Sequence, residues 1–566
     1  MPNRAEIEID NRNKGRLVQA AWSRLWHSCA KFCCPEKADT MRNLASNINP
    51  GYQTEPQRHN DVAVDGLRIF SGGVKTWVCP GPSTGWVTWI PHPALQDKTA
   101  VKDWLADCME RADGHMNSGG FYSASHSVFE DLGLTSTAAL FIDSTGDLPL
   151  SCVALSPTEF TFTLTFDKKI ASVQVTYHKS ASAIYEMFDD NAPDIVRMQV
   201  EQNKGDTMHE IIHAVYTRSE DDLEGNKDGE EGGADYAGDP RKMPYGSCWI
   251  HVGRKLVMRE GGYEEMPFVI PRWRVPTGTD GLYGVSPAMD ALASARGVNL
   301  MDMLAATQVE VALNPRIKAP PGTGAIDLSP GGVTQVSGTG EGPTEWLSDG
   351  SRGGLSGAEN FISRKEAQIL RAFHADLFDK LAPIAQQREM TNGLVDALER
   401  ESLSRISPAM GRISQEYIDP AMQRIFMVLY RAGVFAPPPE EAFYQDTSGR
   451  RYLVFPRVAQ TSRMAQAMNS RKVFAFRAAM ERVMPMAQIK PEVLDIYNFE
   501  TIYRDLDRGD GMPKEWHFEE EDVEAMRQAR AMQQQQQQEQ AMAMEMATKQ
   551  PELAMQAAEA AAGQGV

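Results

Sequence analysis

The chain has 566 residues, of which 42% are hydrophobic, 8% aromatic and 23% charged, values that are ordinary for folded proteins. A chain of this length can bury several cores, so its composition excludes disorder throughout. The N-terminal sequence lacks the apolar core of a signal peptide, and no run of about eighteen apolar residues follows, which predicts neither secretion nor a membrane span. The net charge is −19 without a long Lys/Arg-rich run, which argues against tight DNA binding through a basic stripe.

The cysteines are odd in number and widely spread, unlike the even, closely spaced set of a disulfide-stapled secreted domain. They are Cys29, Cys33, Cys34, Cys79, Cys108, Cys152 and Cys248. The prediction is therefore buried or half-buried free thiols in a reducing compartment. The trio at positions 29, 33 and 34 lies beside His27 and could form half of a zinc site, but no second Cys/His pair follows at the required spacing.

The first 270 residues mix helix and strand. Apolar spacing predicts a helix pair over residues 13–45, with Leu17, Ala21, Leu25 and Phe32 on one face. That face is expected to contact the core.

Two helices that lead into strands are predicted next. Residues 67–91 change from a helix to an aromatic stretch punctuated by Gly and Pro. Residues 118–143 predict a helix, a turn at Gly133 and an apolar strand.

Between residues 150 and 218 the apolar period becomes two, in the segments FTFTLTF, ASVQVTY and IIHAVYT, which predicts a β-rich section. The acidic, glycine-rich stretch at 219–240 has no apolar periodicity and predicts a mobile surface insertion. A short strand region follows at about 248–258.

Two long helices are predicted on either side of an irregular excursion. Ser286 is a capping hydroxyl and Pro287 takes the first helical position of a helix that ends at Asn314 and Pro315, after ~40 Å. Residues 315–357 are rich in Gly, Pro, Ser and Thr, which predicts loops. The second helix spans about 358–381, and its apolar stripe is formed by Ile362, Ile369, Phe373, Leu377 and Leu381.

A kinked helix is predicted over residues 391–433. Its apolar positions recur at three- and four-residue spacing and are Leu403, Ile406, Met410, Ile413, Tyr417, Met422, Ile425, Phe426, Leu429 and Tyr430. Pro408 and Pro420 interrupt the pattern, and a proline inside a helix removes a backbone hydrogen bond and clashes with the preceding turn. An unbroken helix of this length would span ~60 Å, too long for the core of a small enzyme.

After the prolines at 437–439, a short strand at 452–455 is followed by predicted helices at about 459–485 and 491–508. The tail from Ala529 onward carries a glutamine run and Met/Ala/Glu repeats. Such biased sequence is expected to be helical within an assembly and disordered alone.

The segment His209-Glu210-Ile211-Ile212-His213 fits the zincin pattern, in which two histidines one helical turn apart bind zinc and a glutamate acts as the base. Its β-branched and aromatic neighbours favour a strand, in which the helical geometry of that site is lost. A strand is therefore the prediction.

The segment at 71–76, SGGVKT, resembles a phosphate-binding loop only faintly, because the Gly-Lys-Ser/Thr triplet is missing. ATP hydrolysis is therefore expected to come from a partner. The acidic stretch at 219–240 lacks the ordered ligand spacing of a calcium loop.

Several of these segments resemble the portal proteins of short-tailed bacteriophages, the head-to-tail connector family. An aromatic-Gly-x-Ser-Pro entry begins the first stem helix of that family, and its counterpart here begins at Tyr283. The family also has an Arg before a Thr that begins a long kinked helix, a Glu-x-x-x-Pro stretch, and a Gly that leads into prolines. The counterparts are Arg388, Thr391, Glu416, Pro420 and Gly433, although Asn392, Gly393 and Leu394 depart from the small and acidic residues usual after that Thr.

The resemblance implies an α+β, mainly helical portal fold with wing, stem, clip and crown, including long stem helices and a kinked long helix. The implied boundaries are a mixed α/β wing at 1–282, a first stem helix at 283–313, a clip at 314–357, a second stem helix at 358–381, a tunnel loop at 382–390, a kinked wing helix and return strand at 391–456, a crown at 457–528 and a Gln/Met/Ala-rich tail at 529–566. The acidic charge would suit a channel through which DNA slides, although solubility alone also explains it.

The resemblance also implies a homo-oligomeric ring of about twelve copies at one capsid vertex, through which double-stranded DNA is packaged and ejected. The implied partners are the terminase large subunit, a tail adaptor, and the major capsid and scaffolding proteins. The protein would lie in the virion after assembly in the host cytoplasm, without a catalytic residue, metal, cofactor or membrane partner.

In this family a tunnel loop lies between the second stem helix and the kinked helix, and here it would fall near residues 380–390. Loop position alone nominates Lys380, Gln386, Gln387 and Arg388 as its DNA contacts. The alternative for each residue is that it only caps and solubilises a helix end.

Two other classes stay open from sequence. A scaffold or internal virion protein would share the helices and the tail without forming a closed ring. A zinc-dependent hydrolase would need the 209–213 segment to be helical and to hold zinc.

Overall fold

The structure is a computed structural model. It describes residues 3–42, 58–218, 242–313, 352–378, 408–445 and 451–460, apart from positions 83, 96, 97, 279 and 280. It also describes Pro240, strands at 317–318 and 345–346, and helical positions between 476 and 540, of which the longest run is 525–533. The predicted acidic insertion at 219–240 lies outside them except for Pro240, as do most of the predicted clip, crown helices and tail. By its contacts the chain divides into units at 1–468 and 469–566. All the elements below lie in the first unit.

The α-helices of the described residues are α1 (Arg4–Cys33), α2 (Ala38–Arg42), α3 (Val62–Val78), α4 (Thr99–Ser118), α5 (Phe121–Thr135), α6 (Ala181–Phe188), α7 (Asp194–Glu201), α8 (Pro287–Leu313), α9 (Arg352–Ala372) and α10 (Asp419–Arg431). The strands are β1 (Val87–Ile90), β2 (Ala139–Asp143), β3 (Ser151–Leu155), β4 (Phe160–Leu164), β5 (Ile170–Ser180), β6 (Met208–Thr217), β7 (Tyr245–His251), β8 (Leu256–Tyr263), β9 (Phe268–Val269), β10 (Ile317–Lys318), β11 (Glu345–Trp346), β12 (Phe443–Gln445), β13 (Arg451–Leu453) and β14 (Arg457–Gln460). This mixture confirms the predicted α+β class.

The largest sheet of the described residues has five antiparallel strands in the order β4-β5-β6-β7-β8. The strands predicted between 150 and 218 are present, but α6 and α7 interrupt them. These two helices were missed because eight residues carry little periodic signal; α6 has a side-chain cap, whereas α7 begins after Pro193 without one. The cap of α6 is Ser180, which accepts a hydrogen bond from the backbone N–H of Ala183 at 3.3 Å.

A short ladder joins distant parts of the chain. β1 pairs antiparallel with β14, with Val87 opposite Gln460 and Ile90 opposite Arg457. The helix predicted from about residue 459 was therefore wrong at its beginning, because residues 459 and 460 pair with β1. Alternating backbone hydrogen bonds to a partner strand outweigh the local helical pattern there.

The predicted face of the first helix was correct for Leu25 and Phe32, which pack against the main core, and wrong for Leu17 and Ala21. Leu17 is 75% exposed and Ala21 is exposed, whereas Trp26 is fully buried. The helix turns a more polar face inward, because Gln19 donates to the carbonyls of Pro157 and Phe160 at 2.8 and 2.5 Å. A buried amide with two partners carries little penalty, so apolar spacing alone misidentifies that part of the face.

The turn predicted at Gly133 is displaced by three residues. α5 continues to Thr135, and Ser136 takes a left-handed conformation with φ +70°. Thr135 Oγ1 donates to the carbonyl of Asp131 at 2.8 Å, which stabilises the final turn of the helix.

The second predicted stem helix has different ends. α9 begins at Arg352 and ends at Ala372, and a turn at Phe373 and His374 separates it from a short helical run at 375–378. His374 takes a left-handed conformation with φ +56°. Phe373 is fully buried against α3, so the chain turns there to keep that contact.

The kink predicted at Pro420 is present as a π-turn. Residues 408–413 are α-helical, Ser414–Ile418 form one π-helical turn, and α10 follows. Asp419 N–H donates to the carbonyl of Ser414, five residues back, so the turn widens where the proline that follows supplies no N–H. The predicted helical stretch at 391–407 lies outside the described residues.

The apolar face of this helix lies at the centre of the main core. Its predicted positions are fully or almost fully buried at Met410, Ile413, Tyr417, Met422, Ile425, Phe426 and Leu429. Phe426 contacts Trp89 and Trp104 edge-on, with ring centroids 5.0 and 6.0 Å apart. Tyr417 donates to Ser125 Oγ on α5 at 2.7 Å. The helix therefore joins segments from both halves of the chain.

Ion pairs fix the same helix at its polar edge. Arg272 donates to both carboxylate oxygens of Glu416, through Nη2 at 2.8 Å and Nε at 3.1 Å, and its backbone N–H donates to the same carboxylate at 3.1 Å. About two turns later, Arg424 is buried and lies 2.7 Å from Glu265, which Arg431 also contacts. Burial acts to raise the pKa of Glu265, but the two arginines outweigh it and leave that pKa lowered.

We expect Glu416→Ala to destabilise the fold by about 3 kcal/mol, because it leaves the nearly buried guanidinium of Arg272 without its carboxylate. Chemical or thermal unfolding of the purified chain measures the loss. Arg274→Ala is the matched control, since it removes an exposed pair with Asp290 and should cost less than about 1 kcal/mol. Equal losses of unfolding free energy in both variants would show that the Glu416 pair stabilises the fold no more than an exposed pair does.

Glycines let α3 approach the turn after α9. The segment at 71–76, which resembled a phosphate-binding loop, also lies in α3. A Cβ at Gly66 would lie 2.7 Å from the ring of Phe373, whereas a Cβ at Gly72 would meet nothing within 4 Å. Gly66→Ala should therefore lower the unfolding free energy by about 1–3 kcal/mol through overpacking. Gly72→Ala should raise it by up to about 1 kcal/mol through helix propensity. Unfolding curves of both variants test the difference, and stabilisation by both would disprove the close contact.

Candidate channel helices and subunit contact surface

The four residues predicted to contact DNA lie outside the described residues, which end at Phe378 and resume at Pro408. They are Lys380, Gln386, Gln387 and Arg388. The structure describes the helices on either side of the predicted excursion, α8 and α9, and these define the candidate site.

α8 begins inside the core, and the predicted cap at Ser286 is confirmed. Ser286 Oγ accepts from the backbone N–H of Met289 at 3.2 Å and donates to the carbonyl of Leu134 at 2.8 Å. Tyr283 precedes it and packs edge-on against Trp26, with ring centroids 5.2 Å apart. The predicted entry motif therefore anchors the helix to α1 and α5.

Exposure changes along α8. The residues that contact the core in its first half are Ala288, Ala291, Leu292, Ala295 and Val298. Further along the helix, Leu300 is 52%, Met303 40% and Leu304 46% exposed, whereas Met301 is half-buried. The three exposed residues lie three and four residues apart, on one side of the helix. We call Leu300, Met303 and Leu304 the α8 apolar face.

α9 pairs with α8 through polar contacts. Asn60 donates from Nδ2 to Asp302 Oδ2 on α8 at 2.7 Å and to Glu366 Oε1 on α9 at 2.9 Å. Ser294 donates to Gln368 Oε1 at 3.3 Å. The segment before α3 therefore bridges the two helices, so their relative position is fixed by the main body.

Charges of both signs alternate on the described surface of this helix pair. The acidic residues are Asp290, Asp302, Glu310, Glu359 and Glu366, and the basic residues are Arg296, Arg364, Lys365 and Arg371. Such a mixture gives no continuous strip of positive charge to hold phosphates, which is consistent with the composition.

The zincin-like segment lies in β6, which confirms the predicted strand and overturns the helix that a zinc hydrolase needs. His213 is fully buried, stacks on Trp249 with ring centroids 4.3 Å apart, and lies 3.0 Å from Ser247 Oγ. Burial lowers its pKa to about 3. His209 contacts Gln199 and His251 instead. Within the described residues no group of three or more His, Cys, Asp or Glu side chains has a metal-binding arrangement.

All seven cysteines are free and buried, as predicted. Burial raises the pKa of Cys29 to about 12 and that of Cys33 further, so both thiols stay protonated at neutral pH. Among the helices that the structure describes, none combines the length and apolar character of a membrane span.

Comparison with known proteins identifies the family. The model of the bacteriophage head to tail connecting protein family matches residues 15–517. The chain is 24% identical over 493 residues to the probable portal protein of Bordetella phage BPP-1, covering 85% of this chain and 83% of that protein. It is 24% identical over 523 residues to the portal protein of Salmonella phage epsilon15, covering 89% and 87%.

Solved structures of gene transfer agent particles are more distant. A chain of the native virion matches at 12% identity with a TM-score of 0.33, covering 66% of this chain and 78% of that one. A chain of the neck of the empty particle matches at 11% identity with a TM-score of 0.35, covering 76% and 87%. TM-scores this low do not establish a common fold, so the family assignment rests on the sequence matches. Because the family match spans most of its length, the chain belongs to the bacteriophage head to tail connecting protein family.

Proposed function

We propose that this chain is the subunit of a portal, a closed ring at one capsid vertex through which double-stranded DNA is packaged and ejected. The family match and the two relatives named as portal proteins support this function. The proposal gives the chain a channel and docking role and assigns it no catalytic step.

The structural observation that carries the ring is the α8 apolar face. Leu300, Met303 and Leu304 extend beyond the core on a helix that is anchored at its other end. These side chains are already about half buried, so covering the rest of each one against a neighbour gains about 1 kcal/mol. In a ring every copy of α8 would meet the next subunit, so the exposed face would be covered throughout the assembly.

The ring would have about twelve copies, and the regions inferred from the resemblance would be its wing, stem, clip and crown. In this arrangement α8 and α9 are the stem, and the residues between them are the clip. The tunnel loop near 380–390 would contact the DNA, with Lys380, Gln386, Gln387 and Arg388 as its contact residues. The net charge of −19 would keep the duplex from adhering to the wall.

The proposed partners follow from that position. The terminase large subunit would dock on the ring and supply ATP hydrolysis, and a tail adaptor would bind after packaging. Major capsid and scaffolding proteins would surround the ring during assembly in the host cytoplasm. The mature location would be the portal vertex of the virion.

We expect native mass spectrometry and negative-stain imaging of the purified chain to show a ring of about twelve subunits with a central hole. The double variant Leu300→Glu/Leu304→Glu should reduce the ring population at least about tenfold, because carboxylates would be buried at the contact. Leu300→Met/Leu304→Met is the matched control and should assemble normally, because the swap conserves apolar volume.

A wild-type chain that stays monomeric, or forms open oligomers without a hole, would overturn the portal proposal and favour a scaffold or internal virion protein. A ring that forms normally with both glutamates would keep the portal and reject the α8 apolar face as its contact. Circular dichroism confirms that each variant is folded.

The tunnel-loop proposal has a separate test. Lys380→Ala/Arg388→Ala should leave the mass of the ring unchanged and lower the amount of DNA packaged per head, since two transient phosphate contacts are lost. Lys168→Ala/Lys169→Ala removes the same charge from the turn between β4 and β5 and is the control. Packaging assays with purified heads and terminase measure the effect, and equal packaging by both variants would contradict the assignment.

A further inference from the structure

A series of three hydrogen bonds connects α7 through β6 and β7 to the turn before β8. The backbone N–H of Arg254 donates to His251 Nδ1 at 3.1 Å. His251 Nε2 lies 3.2 Å from His209 Nδ1, and His209 Nε2 lies 2.6 Å from Gln199 Oε1. The two histidines lie on adjacent strands, β6 and β7. This is the segment that resembled a zinc site, and the portal function makes no use of it.

The groups at the two ends of this series fix the direction of every hydrogen bond in it. The Arg254 N–H can only donate, so His251 Nδ1 accepts and the ring proton lies on Nε2. That proton is donated to His209 Nδ1, which places the proton of His209 on Nε2, where the carbonyl oxygen of Gln199 accepts it. Both rings are therefore neutral, and each ring nitrogen has one partner.

An added proton breaks this arrangement at either ring. A proton on His209 Nδ1 would face the N–H of His251 Nε2 across 3.2 Å. A proton on His251 Nδ1 would face the backbone N–H of Arg254. Two donors repel each other, so a charged ring must leave its place in the series.

The surroundings favour the neutral form. Burial lowers the pKa of His251, and the charges of His209 and Arg254 lower it further. Burial also lowers the pKa of His209. The charged residues on the elements around the pair are Lys179 on β5 and Glu210 on β6, Glu186 on α6, Asp194, Arg197 and Glu201 on α7, Arg254 and Lys255 on the turn before β8, and Arg259 and Glu260 on β8.

The helix that these hydrogen bonds attach to the sheet, α7, shares a small hydrophobic core with α6. α6 and α7 pack on the sheet through Ala181, Ile184, Phe188, Ala192, Val196, Ile211 and Met258. This cluster and the hydrogen bond that Arg259 donates to the carbonyl of Met187 at 2.7 Å hold α6 whatever the protonation of the histidines, whereas the hydrogen bond to Gln199 attaches α7 and depends on it.

We propose that His209 and His251 form a proton-operated latch that holds α7 on the sheet at neutral pH and releases it in acid. The sign follows from linkage: a histidine whose folded pKa is lowered binds fewer protons when folded than when unfolded. The latch therefore contributes fully above the ordinary value of 6.5 and is lost as pH falls from there through the folded pKa. His213, with a pKa of about 3, stays neutral throughout.

Hydrogen–deuterium exchange of the full assembled chain tests the latch between about pH 7.5 and pH 5. After correction for intrinsic rates, exchange in residues 194–203 should rise at least about tenfold at the lower pH. Peptides from α10 should not change, because that helix is buried in the main core. An unchanged wild-type rate at residues 194–203 would overturn the proposal.

Two variants separate the latch from general acid loosening. His209→Gln can still donate to Gln199 and takes no proton, so its exchange at α7 should lose the pH step. His251→Asn keeps an acceptor for the Arg254 N–H and should lose the step as well, which decides the matter if the first variant misfolds. His178→Gln is the control. Lys179 on β5 lies opposite His209, so its neighbour His178 points to the other face of the sheet, and this variant should keep the step. A step that persists in both latch variants would reject the latch.

Discussion

The buried ion pair between Arg272 and Glu416 is the constraint on which the arrangement of the main body depends. Glu416 lies in the π-turn before α10, where the turn widens because Pro420 supplies no N–H. α10 can then insert Phe426 between Trp89 and Trp104. A charged pair adds little net stability, but its hydrogen bonds are directional. It therefore fixes the position of an apolar helix that could otherwise slide along the core.

The portal proposal depends on the same rigidity. α8 begins in the core at Ser286 and is bridged to α9 by Asn60, so both helices leave the body at a fixed angle. A ring closes only when each subunit presents its contact face at the same rotation. A firmly held pair of helices that carries the α8 apolar face meets that requirement, whereas a helix on a flexible linker would allow open chains.

Sequence reasoning succeeded where one strong local signal controlled the structure. The period of α10, the Ser286 cap and the strands β4 to β6 follow from spacing and capping that need no knowledge of the rest of the chain. It failed where the controlling contact came from elsewhere. Gln19 is buried because backbone carbonyls in the 157–160 segment are available to it, and α9 ends early because α3 offers glycines to Phe373. The proposed DNA contacts lie outside the described residues, so they are named only by their position in the sequence.

The ladder between β1 and β14 has a consequence for how the protein is made. Val87–Ile90 leave the ribosome early, but their partners at Arg457–Gln460 are synthesised only after most of the chain. Closing so long a loop costs entropy, and until it closes the edge of β1 and the tryptophan rings beside it lack their final cover. The main body therefore cannot finish folding until Gln460 has been synthesised, so a product truncated before that residue would present an open strand edge.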